Sequence, residues 1–278
     1  MSKYGLNNEP SLEGFLEFQN SKVAFHKFGG GERLLIAFHG YGDQALIFLA
    51  LEPALKKDYT LYAIDLPYHG QTEWQSDSFS KKNVLDWIDL ILKKETKNRF
   101  ELMGYSYGGR IILSLISELK NYLDKIYLIA PDGIDTKGMF SASIPPVWLR
   151  RVLKGMAKNP DKLIRMAAKF HKIGWLSSFN FYFIQTNLAT EKRRERLFYT
   201  WISLKDFEVD LRKVRSFLKE QVIPVELYFG KYDQIIPLSA GEKLRKGIPN
   251  IRLNIIDEGH RLINEKLNQV IADQLNED

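Results

Sequence analysis

The stretch Glu101-Leu102-Met103-Gly104-Tyr105-Ser106-Tyr107-Gly108-Gly109 joins a short apolar run to a helical pattern over 107–119. The first part predicts a buried strand and the second a helix. At their junction, residues 104–108 fit the pattern Gly-x-Ser-x-Gly, in which a sharp strand-to-helix turn holds the serine in a strained conformation. The pattern predicts that Ser106 is a nucleophile, and the alternative is an incidental serine in a glycine-rich helix start.

Short apolar runs recur on both sides of this turn, and such runs are typical of strands buried on both faces of a parallel sheet. They cover 34–38, 61–64, 101–103, 126–130, 225–229 and 251–256, and they alternate with helical patterns over 46–57, 79–94, 107–119, 239–246 and 262–275. Segments 15–18 and 23–28 precede them and have the pattern of an antiparallel hairpin. Because crossovers are right-handed, we predict an α/β fold with a mostly parallel, doubly wound sheet and an N-terminal antiparallel hairpin.

The alternation stops over residues 134–222, which contain basic helical patterns and an aromatic cluster at 179–183. We therefore predict one core domain from 1–133 and 223–278, with 134–222 inserted as a helical domain. The insertion holds 18 Lys and Arg against 8 Asp and Glu, and the rest of the chain holds 22 against 26. The whole basic excess of the chain, whose net charge is +6, thus lies in the insertion.

The composition excludes several kinds of chemistry. The 278 residues include no cysteine, which removes disulfides, thiolate catalysis and cysteine-based zinc sites. The sequence contains no run of about 18 apolar residues, so no transmembrane segment is predicted. The amino terminus lacks the apolar stretch of a secretory signal. We expect a cytoplasmic protein, and serine chemistry requires neither a metal nor another cofactor.

A serine at a helix start has a favourable electrostatic setting. The amide of Tyr107 points toward the space beside the Ser106 hydroxyl, and the positive end of the helix dipole favours an oxyanion there. A serine hydroxyl is still a poor nucleophile at neutral pH unless a neighbouring base accepts its proton. The sequence must therefore supply a histidine and a carboxylate that orients it.

Five histidines are available as the base. His260 follows the last predicted strand, in a loop at the carboxyl edge of the sheet, and it is the predicted base. Its alternative role is that of an exposed loop residue. His39 and His69 lie in His-Gly turns and are predicted to be structural, and no motif surrounds His26 or His171.

The orienting carboxylate is predicted at Asp233, which directly follows the apolar run 225–229. The rival is Asp132, in Ala130-Pro131-Asp132, which also follows a predicted strand. A further alternative is that Asp233 caps the turn after it.

Three motifs resemble those of the α/β-hydrolase family. His39-Gly40-Tyr41-Gly42 looks like its oxyanion turn, Asp65-Leu66-Pro67-Tyr68-His69-Gly70 like its next strand end, and Gly104 to Gly109 like its nucleophile elbow. The order Ser106, Asp233, His260 is also the one associated with this fold. The resemblance covers the chain outside the insertion and implies an α/β-hydrolase fold, with the amide of Tyr41 as a second oxyanion donor.

Further expectations follow from the resemblance. Relatives that cleave epoxides or carbon–halogen bonds carry aspartate at the nucleophile position, so Ser106 disfavours those reactions. An insertion between the sixth and seventh strands usually forms a helical cap over the nucleophile, and 134–222 has that position. Tyr68 stands where the family commonly has glycine, which bears on local shape more than on chemistry.

The leading hypothesis is hydrolysis of a carboxylic ester through an acyl-enzyme. Ser106 attacks, His260 relays its proton and Asp233 orients His260. The amides of Tyr41 and Tyr107 hold the oxyanion. We expect a small acyl substrate that is anionic or has an apolar acyl chain, and amides, thioesters and lactones stay open.

Two alternatives keep the fold and change the function. Residues 104–110 are similar to the elbow of the menaquinone-pathway synthase, a lyase that eliminates pyruvate from an anionic substrate. In that case Arg110 would meet the substrate, and otherwise it makes an ordinary ion pair; His39 and Gly40 are further candidate substrate contacts. The second alternative is a non-catalytic binding protein, which the complete set of serine, aspartate and histidine argues against.

The insertion should set substrate choice, and two groups of its side chains have alternative roles. Seven apolar residues are predicted either to line an acyl pocket or to form the core of the cap: Trp148, Met156, Met166, Trp175, Phe179, Phe181 and Phe183. Eight basic residues are predicted to form a solvated helix face, and the alternatives are that they attract an anionic substrate or dock on an anionic membrane surface. These residues are Arg150, Arg151, Lys154, Lys158, Lys162, Arg165, Lys169 and Lys172. No nucleic-acid-binding module accompanies this charge, so a nucleic-acid partner is not expected.

Overall fold

The computed structural model describes residues 12–76, 78–134 and 160–277. In this part of the chain, eight strands form one sheet in the order β1-β2-β4-β3-β5-β6-β7-β8. The strands are β1 (Leu12–Phe18), β2 (Ser21–Phe28), β3 (Arg33–Phe38), β4 (Tyr59–Ile64), β5 (Phe100–Tyr105), β6 (Leu123–Ile129), β7 (Val225–Gly230) and β8 (Ile251–Ile256). Strand β2 is antiparallel to β1 and β4, and the other neighbours are parallel. The predicted α/β fold, with its mostly parallel sheet and N-terminal hairpin, is confirmed.

From β3 onward, the helices of the described residues alternate with the strands, except between β6 and β7, where four helices follow one another. They are α1 (Glu52–Leu55), α2 (Lys81–Glu95), α3 (Tyr107–Leu115), α4 (Pro160–Lys172), α5 (Ser178–Leu188), α6 (Glu191–Ser203), α7 (Leu211–Gln221), α8 (Leu238–Arg245) and α9 (Glu265–Glu277). Two 3₁₀ helices, Ala45–Leu51 and Ile116–Leu119, flank α1 and α3. In place of the single helix predicted over 46–57, the chain forms a 3₁₀ helix followed by the short helix α1. Pro53, which has no amide hydrogen, lies in the first turn of α1.

The central strands are buried along their whole length. Every residue of β5 and β7 is buried, because helices cover both faces of a parallel sheet. The carboxyl ends of these parallel strands meet at one edge. This edge carries the turn after β5, the loop after β7 and the loop after β8, which bring together residues far apart in sequence.

The chain divides into two compact units, one from Met1–Ala142 and Asp206–Asp278 and the other from Ser143–Lys205. Helices α4, α5 and α6 belong to the second unit. Helix α7, which lies inside the predicted insertion 134–222, belongs to the first unit, where Asn250 Nδ2 donates to Leu218 O over 3.2 Å. Within the described residues, no helix is long and apolar enough to cross a membrane.

Candidate active site

Ser106 lies between β5 and α3 with backbone angles of φ 50° and ψ −109°. A positive φ is unfavourable for a residue that has a side chain, so the surrounding structure must hold it. The Ser106 amide donates to Ile129 O over 2.9 Å, and its carbonyl accepts from Asp132 N over 2.9 Å. The end of β6 therefore fixes the strained turn that the sequence predicts.

The glycines around Ser106 are required by close packing. A Cβ on Gly104 would lie 2.7 Å from Gly109 N, and a Cβ on Gly108 would lie 1.9 Å from Phe38 O. These distances are shorter than any allowed contact, so a side chain at either position would push β5, α3 and β3 apart. The Gly-x-Ser-x-Gly pattern is thus a consequence of how tightly the helix start approaches the sheet.

The side chains of Ser106, His260 and Asp233 form a continuous series of contacts. His260 Nε2 lies 3.2 Å from Ser106 Oγ, and His260 Nδ1 lies 2.7 Å from Asp233 Oδ2. Because an ionised carboxylate only accepts hydrogen bonds, we assign the proton to Nδ1, which leaves Nε2 as the basic nitrogen facing the serine hydroxyl. A nucleophile, a base and an orienting acid would require contacts in this order.

The Asp233 carboxylate is fully buried and accepts hydrogen bonds on both oxygens. Its Oδ1 accepts from the amides of Ile235 and Ile236 over 2.8 and 2.9 Å, while Oδ2 contacts His260. Three donors compensate the charge for its removal from water. Asp233 therefore both caps the turn after β7 and holds His260, so the two roles considered for it do not exclude each other.

Asp132, the rival carboxylate, pairs with Arg110 instead. Both side chains are buried, and Arg110 Nε lies 2.9 Å from Asp132 Oδ2, although the contact is not aligned as a hydrogen bond. Asp132 Oδ1 also accepts from Gly133 N over 2.7 Å. The structure thus gives Arg110 the ion pair that was the alternative to substrate contact.

His39 links the predicted oxyanion turn to the next strand end. The ring is fully buried. Its Nε2 accepts from Leu66 N over 3.0 Å, so its Nδ1 carries the proton and donates to Gly40 O over 2.7 Å. Both ring nitrogens of His39 are therefore hydrogen-bonded to backbone groups, an arrangement that a structural role would require. Gly40 is buried beside His39.

His69, in the segment after β4, contacts the predicted oxyanion turn from the other side of Tyr41. Its Nε2 accepts from Gly42 N over 3.1 Å, and its Nδ1 lies 2.8 Å from Pro67 O. The carbonyl before Tyr41 is held by His39 and the amide after Tyr41 by His69. Two neutral histidines therefore set the orientation of the peptide groups on either side of Tyr41.

The two predicted oxyanion donors lie on adjoining segments. Tyr107 is the first residue of α3, where amides have no acceptor within the helix. The next amide, that of Gly108, donates to His39 O over 3.1 Å. This bond ties the start of α3 to the turn that contains Tyr41.

The segment after β4 makes side-chain contacts that sequence reasoning missed. Asp65 is buried, and its two oxygens accept from Ala45 N over 2.7 Å and Gln71 N over 2.8 Å. Tyr68 has a φ of 66°, which explains why glycine is common there. The Tyr68 hydroxyl donates to Ser76 O over 2.9 Å.

Tyr105 is a second residue that sequence reasoning passed over. Its hydroxyl donates to His260 O over 2.9 Å, and its ring lies 5.4 Å from the imidazole of His260. Burial, followed by the negative charges of Asp43 and Asp233, raises the pKa of Tyr105, so the hydroxyl keeps its proton. The signal was its place inside the Gly-x-Ser-x-Gly pattern, directly before the serine.

The remaining histidines lie outside this cluster. His26 is buried on β2, and His171 on α4 stacks on Phe181 with ring centroids 4.9 Å apart. Among residues 12–76, 78–134 and 160–277, no group of three or more His, Asp or Glu side chains is placed to hold a metal ion.

Several side chains of the insertion were predicted to form a pocket or a cap core. Trp148, Met156, Arg150, Arg151, Lys154 and Lys158 lie outside the described residues, as does the side chain of Phe179. Met166 and Trp175 are 45% and 79% exposed, so the core interpretation is wrong for both. Phe181 and Phe183 are partly buried.

Known proteins resemble this chain over most of its length. A profile of the alpha/beta hydrolase fold matches residues 33–266. The uncharacterized hydrolase YugF of Bacillus subtilis (strain 168) is 24% identical over 260 residues, which cover 90% of this chain and 91% of that protein. The pimeloyl-[acyl-carrier protein] methyl ester esterase of Legionella pneumophila (strain Corby) is 27% identical over 234 residues, 83% of this chain and 87% of that protein.

Solved structures share the fold at low sequence identity. A thermophilic esterase from Thermogutta terrifontis superimposes with a TM-score of 0.68 at 14% identity, over 96% of this chain and 98% of that one. At such an identity the likeness describes the architecture alone.

Proposed function

The chain belongs to the α/β-hydrolase fold family and is a hydrolase, and from this premise we propose that it cleaves carboxylic esters through an acyl-enzyme on Ser106. The observation that carries the proposal is the series of contacts from Ser106 Oγ to His260 Nε2 and from His260 Nδ1 to Asp233 Oδ2. The esterase of Legionella pneumophila supports an ester as the bond that is cleaved.

In the first half of the reaction, Ser106 Oγ attacks the carbonyl carbon of the ester while His260 Nε2 takes the hydroxyl proton. Asp233 stabilises the imidazolium that forms. The carbonyl oxygen becomes an oxyanion, which the amides of Tyr41 and Tyr107 bind. When the tetrahedral intermediate collapses, His260 returns the proton to the leaving alcohol and the acyl group stays on Ser106.

In the second half, water replaces the alcohol. His260 Nε2 accepts a proton from the water, whose oxygen attacks the acyl carbon. Collapse of this second intermediate breaks the bond to Ser106 Oγ, returns the proton to that oxygen and releases the carboxylic acid. An oxyanion donor of this kind typically contributes a hundredfold to a thousandfold to turnover, so the position of the Tyr41 turn matters for the rate.

The lyase hypothesis depended on Arg110. Because Arg110 is buried and paired with Asp132, no described contact directs it toward an anionic substrate. The hypothesis of a non-catalytic receptor would fit a disassembled triad better than contacts of 3.2 and 2.7 Å. Ester hydrolysis is the function that this geometry supports best.

The proposal is tested with p-nitrophenyl esters of short acids and with a fluorophosphonate probe. Wild-type protein should hydrolyse the esters and become labelled at Ser106, and Ser106→Ala should lose both properties. The loss in kcat should be large, up to roughly a millionfold.

Ser114→Ala is the matched control. Ser114 lies on α3, eight residues after Ser106, is buried and donates to Ile111 O. This variant should keep its turnover and its labelling. Undiminished hydrolysis by Ser106→Ala, or labelling that maps to a residue other than Ser106, would overturn the proposed function.

A further inference from the structure

Helix α4 and the turn after it expose four large apolar side chains. Met166 is 45%, Phe170 39%, Ile173 59% and Trp175 79% exposed. The Trp175 ring stacks on Phe170 with centroids 6.0 Å apart. The four side chains thus form a surface, here called the α4 apolar face, that other described residues do not cover.

The α4 apolar face has a row of cations beside it. At about 100° per residue, Met166 and Phe170 lie about 40° apart on α4, and Ile173 comes directly after the last residue of the helix. The exposed basic residues of α4 fall in the adjacent sector: Lys162, Arg165, Lys169 and Lys172. Ala167, which is buried, lies about 60° from Phe170, on the flank of the apolar sector away from the cations.

The four cations are not engaged elsewhere in the described part of the chain, where none of them has an ion pair. A helix that only faces water does not need three large apolar residues and a tryptophan at its surface, and a helix that packs into a core does not leave them 39–79% exposed. A solvated helix face accounts for the cations but not for the exposed apolar side chains. A packed cap core accounts for apolar side chains but not for their exposure.

We propose that the α4 apolar face docks on an anionic lipid surface. Helices that lie in the membrane interface place apolar side chains among the acyl chains and Lys and Arg among the headgroup phosphates. Tryptophan is enriched at this depth because its ring is apolar and its N–H is polar. Adjacent apolar and basic sectors on one helix match these two layers.

Charge complementarity selects lipid over a second copy of the chain. In a symmetric dimer the same surface meets itself, so the rows of Lys and Arg would approach each other. An anionic bilayer offers the opposite charge over the whole area, and each Lys or Arg near its surface adds to the attraction. The docking does not depend on the proposed esterase activity.

The test is co-sedimentation with vesicles of phosphatidylcholine alone and of phosphatidylcholine mixed with phosphatidylglycerol. Wild-type protein should bind the anionic vesicles at least about tenfold more tightly, and added salt should weaken the binding. The double variant Ile173→Ser, Trp175→Ser should bind them about tenfold more weakly or worse. Lys162→Gln with Lys169→Gln should bind more weakly by a similar factor.

Matched controls carry equal changes in the first unit. Tyr122→Ser removes an aromatic side chain that is 47% exposed, and Lys97→Gln with Lys120→Gln removes two exposed cations. Both should bind as the wild type does. Since the altered residues are all exposed, thermal unfolding of every variant should match the wild type.

Three results would overturn the proposal. The first is equal binding to neutral and anionic vesicles, or none to either. The second is wild-type binding by the Ile173, Trp175 double variant. The third is a concentration-dependent dimer of the wild type that this variant abolishes without any binding to vesicles, which would identify a second copy as the occupant.

Discussion

His260 Nδ1 lies 2.7 Å from Asp233 Oδ2, although 27 residues separate them in the chain. Asp233 follows β7 and His260 follows β8, and these strands are parallel neighbours with Gly230 opposite Ile256. Gly230 permits the approach, because a Cβ there would lie 2.3 Å from Gly259 O. The pairing of two strand ends therefore sets the distance between the side chains of Asp233 and His260.

Replacing Asp233 with Asn should lower kcat for ester hydrolysis by roughly ten-thousandfold. The Asn amide favours the wrong tautomer of His260, in which Nε2 carries the proton and cannot accept one from Ser106. The measurement is steady-state hydrolysis of a p-nitrophenyl ester.

Asp132→Asn is the control for this change, because Asp132, which follows β6, is the rival carboxylate in the sequence analysis. It should keep kcat within a few-fold but lose about 3 kcal/mol of stability, since the buried guanidinium of Arg110 would lose the negative charge of Asp132. A large loss of kcat in Asp132→Asn and little in Asp233→Asn would reverse the assignment.

Tyr105→Phe should lower kcat several-fold and leave KM nearly unchanged. The change removes the hydroxyl that donates to His260 O, so the backbone of His260 keeps only the Leu262 amide as a described donor. A net loss of about 1 kcal/mol in stability is also expected. Steady-state kinetics and urea denaturation measure the two effects.

Tyr228→Phe separates positioning from stability. The Tyr228 hydroxyl is buried and donates to Gln274 Oε1 over 2.6 Å, away from the candidate site. This variant should lose a similar amount of stability and retain kcat. If both variants retain kcat, Tyr105 does not position His260.

Much of the fold could be predicted because buried parallel strands read as uninterrupted apolar runs. The predicted strand boundaries were less accurate where a strand contains polar residues. Strand β6 begins at Leu123, three residues before the predicted start, because Asp124 and Lys125 hide the pattern. Lys125 is nevertheless buried, with Nζ 3.7 Å from Glu226 Oε1 on β7, a pairing that only the assembled sheet creates.

The sequence placed Ser106, Asp233 and His260 after separate strands at one edge of the sheet, and the structure brings these three side chains into contact. The supporting contacts could not be predicted, because they join backbone groups to side chains across loops. His69 and Asp65 hold amides of other segments, and nothing in their own sequence neighbourhood specifies those partners. Such residues become visible only when the loops are placed side by side.

Glu95→Gln should destabilise the protein at pH 7 by roughly 1 kcal/mol, kept small by solvent screening. Desolvation raises the pKa of Glu95, but hydrogen bonds from Lys27 and Tyr62 outweigh it and lower the pKa below its usual range. A lowered pKa stabilises the folded state at neutral pH, and this contribution is lost as pH falls through the folded-state pKa. Urea denaturation from pH 7 to pH 3 should show the difference shrinking toward zero.

Asp89→Asn provides the comparison on the same helix. Asp89 is 59% exposed and pairs with Lys93 one turn away, so its removal should cost no more than about 0.5 kcal/mol at pH 7. A difference between wild type and Glu95→Gln that grows on acidification would contradict the sign derived for Glu95.

His69 offers a way to test the predicted oxyanion turn, whose proposed backbone donors no side-chain substitution removes. Asn has its amide nitrogen near the position of Nδ1, so His69→Asn keeps a donor for Pro67 O and loses the acceptor for the Gly42 amide. Gln has an oxygen near the position of Nε2, so His69→Gln keeps that acceptor and loses the donor.

If the Gly42 amide fixes the turn for catalysis, the two variants should differ in kcat although they lose similar stability. His69→Asn should lower kcat about tenfold to a hundredfold, part of the full contribution of an oxyanion donor, with a smaller change in KM. His69→Gln should stay within a few-fold of the wild type. Only the contact with the Gly42 amide is expected to position Tyr41, and only His69→Gln keeps that contact. Equal losses of kcat in both variants would therefore mean that His69 only stabilises the fold.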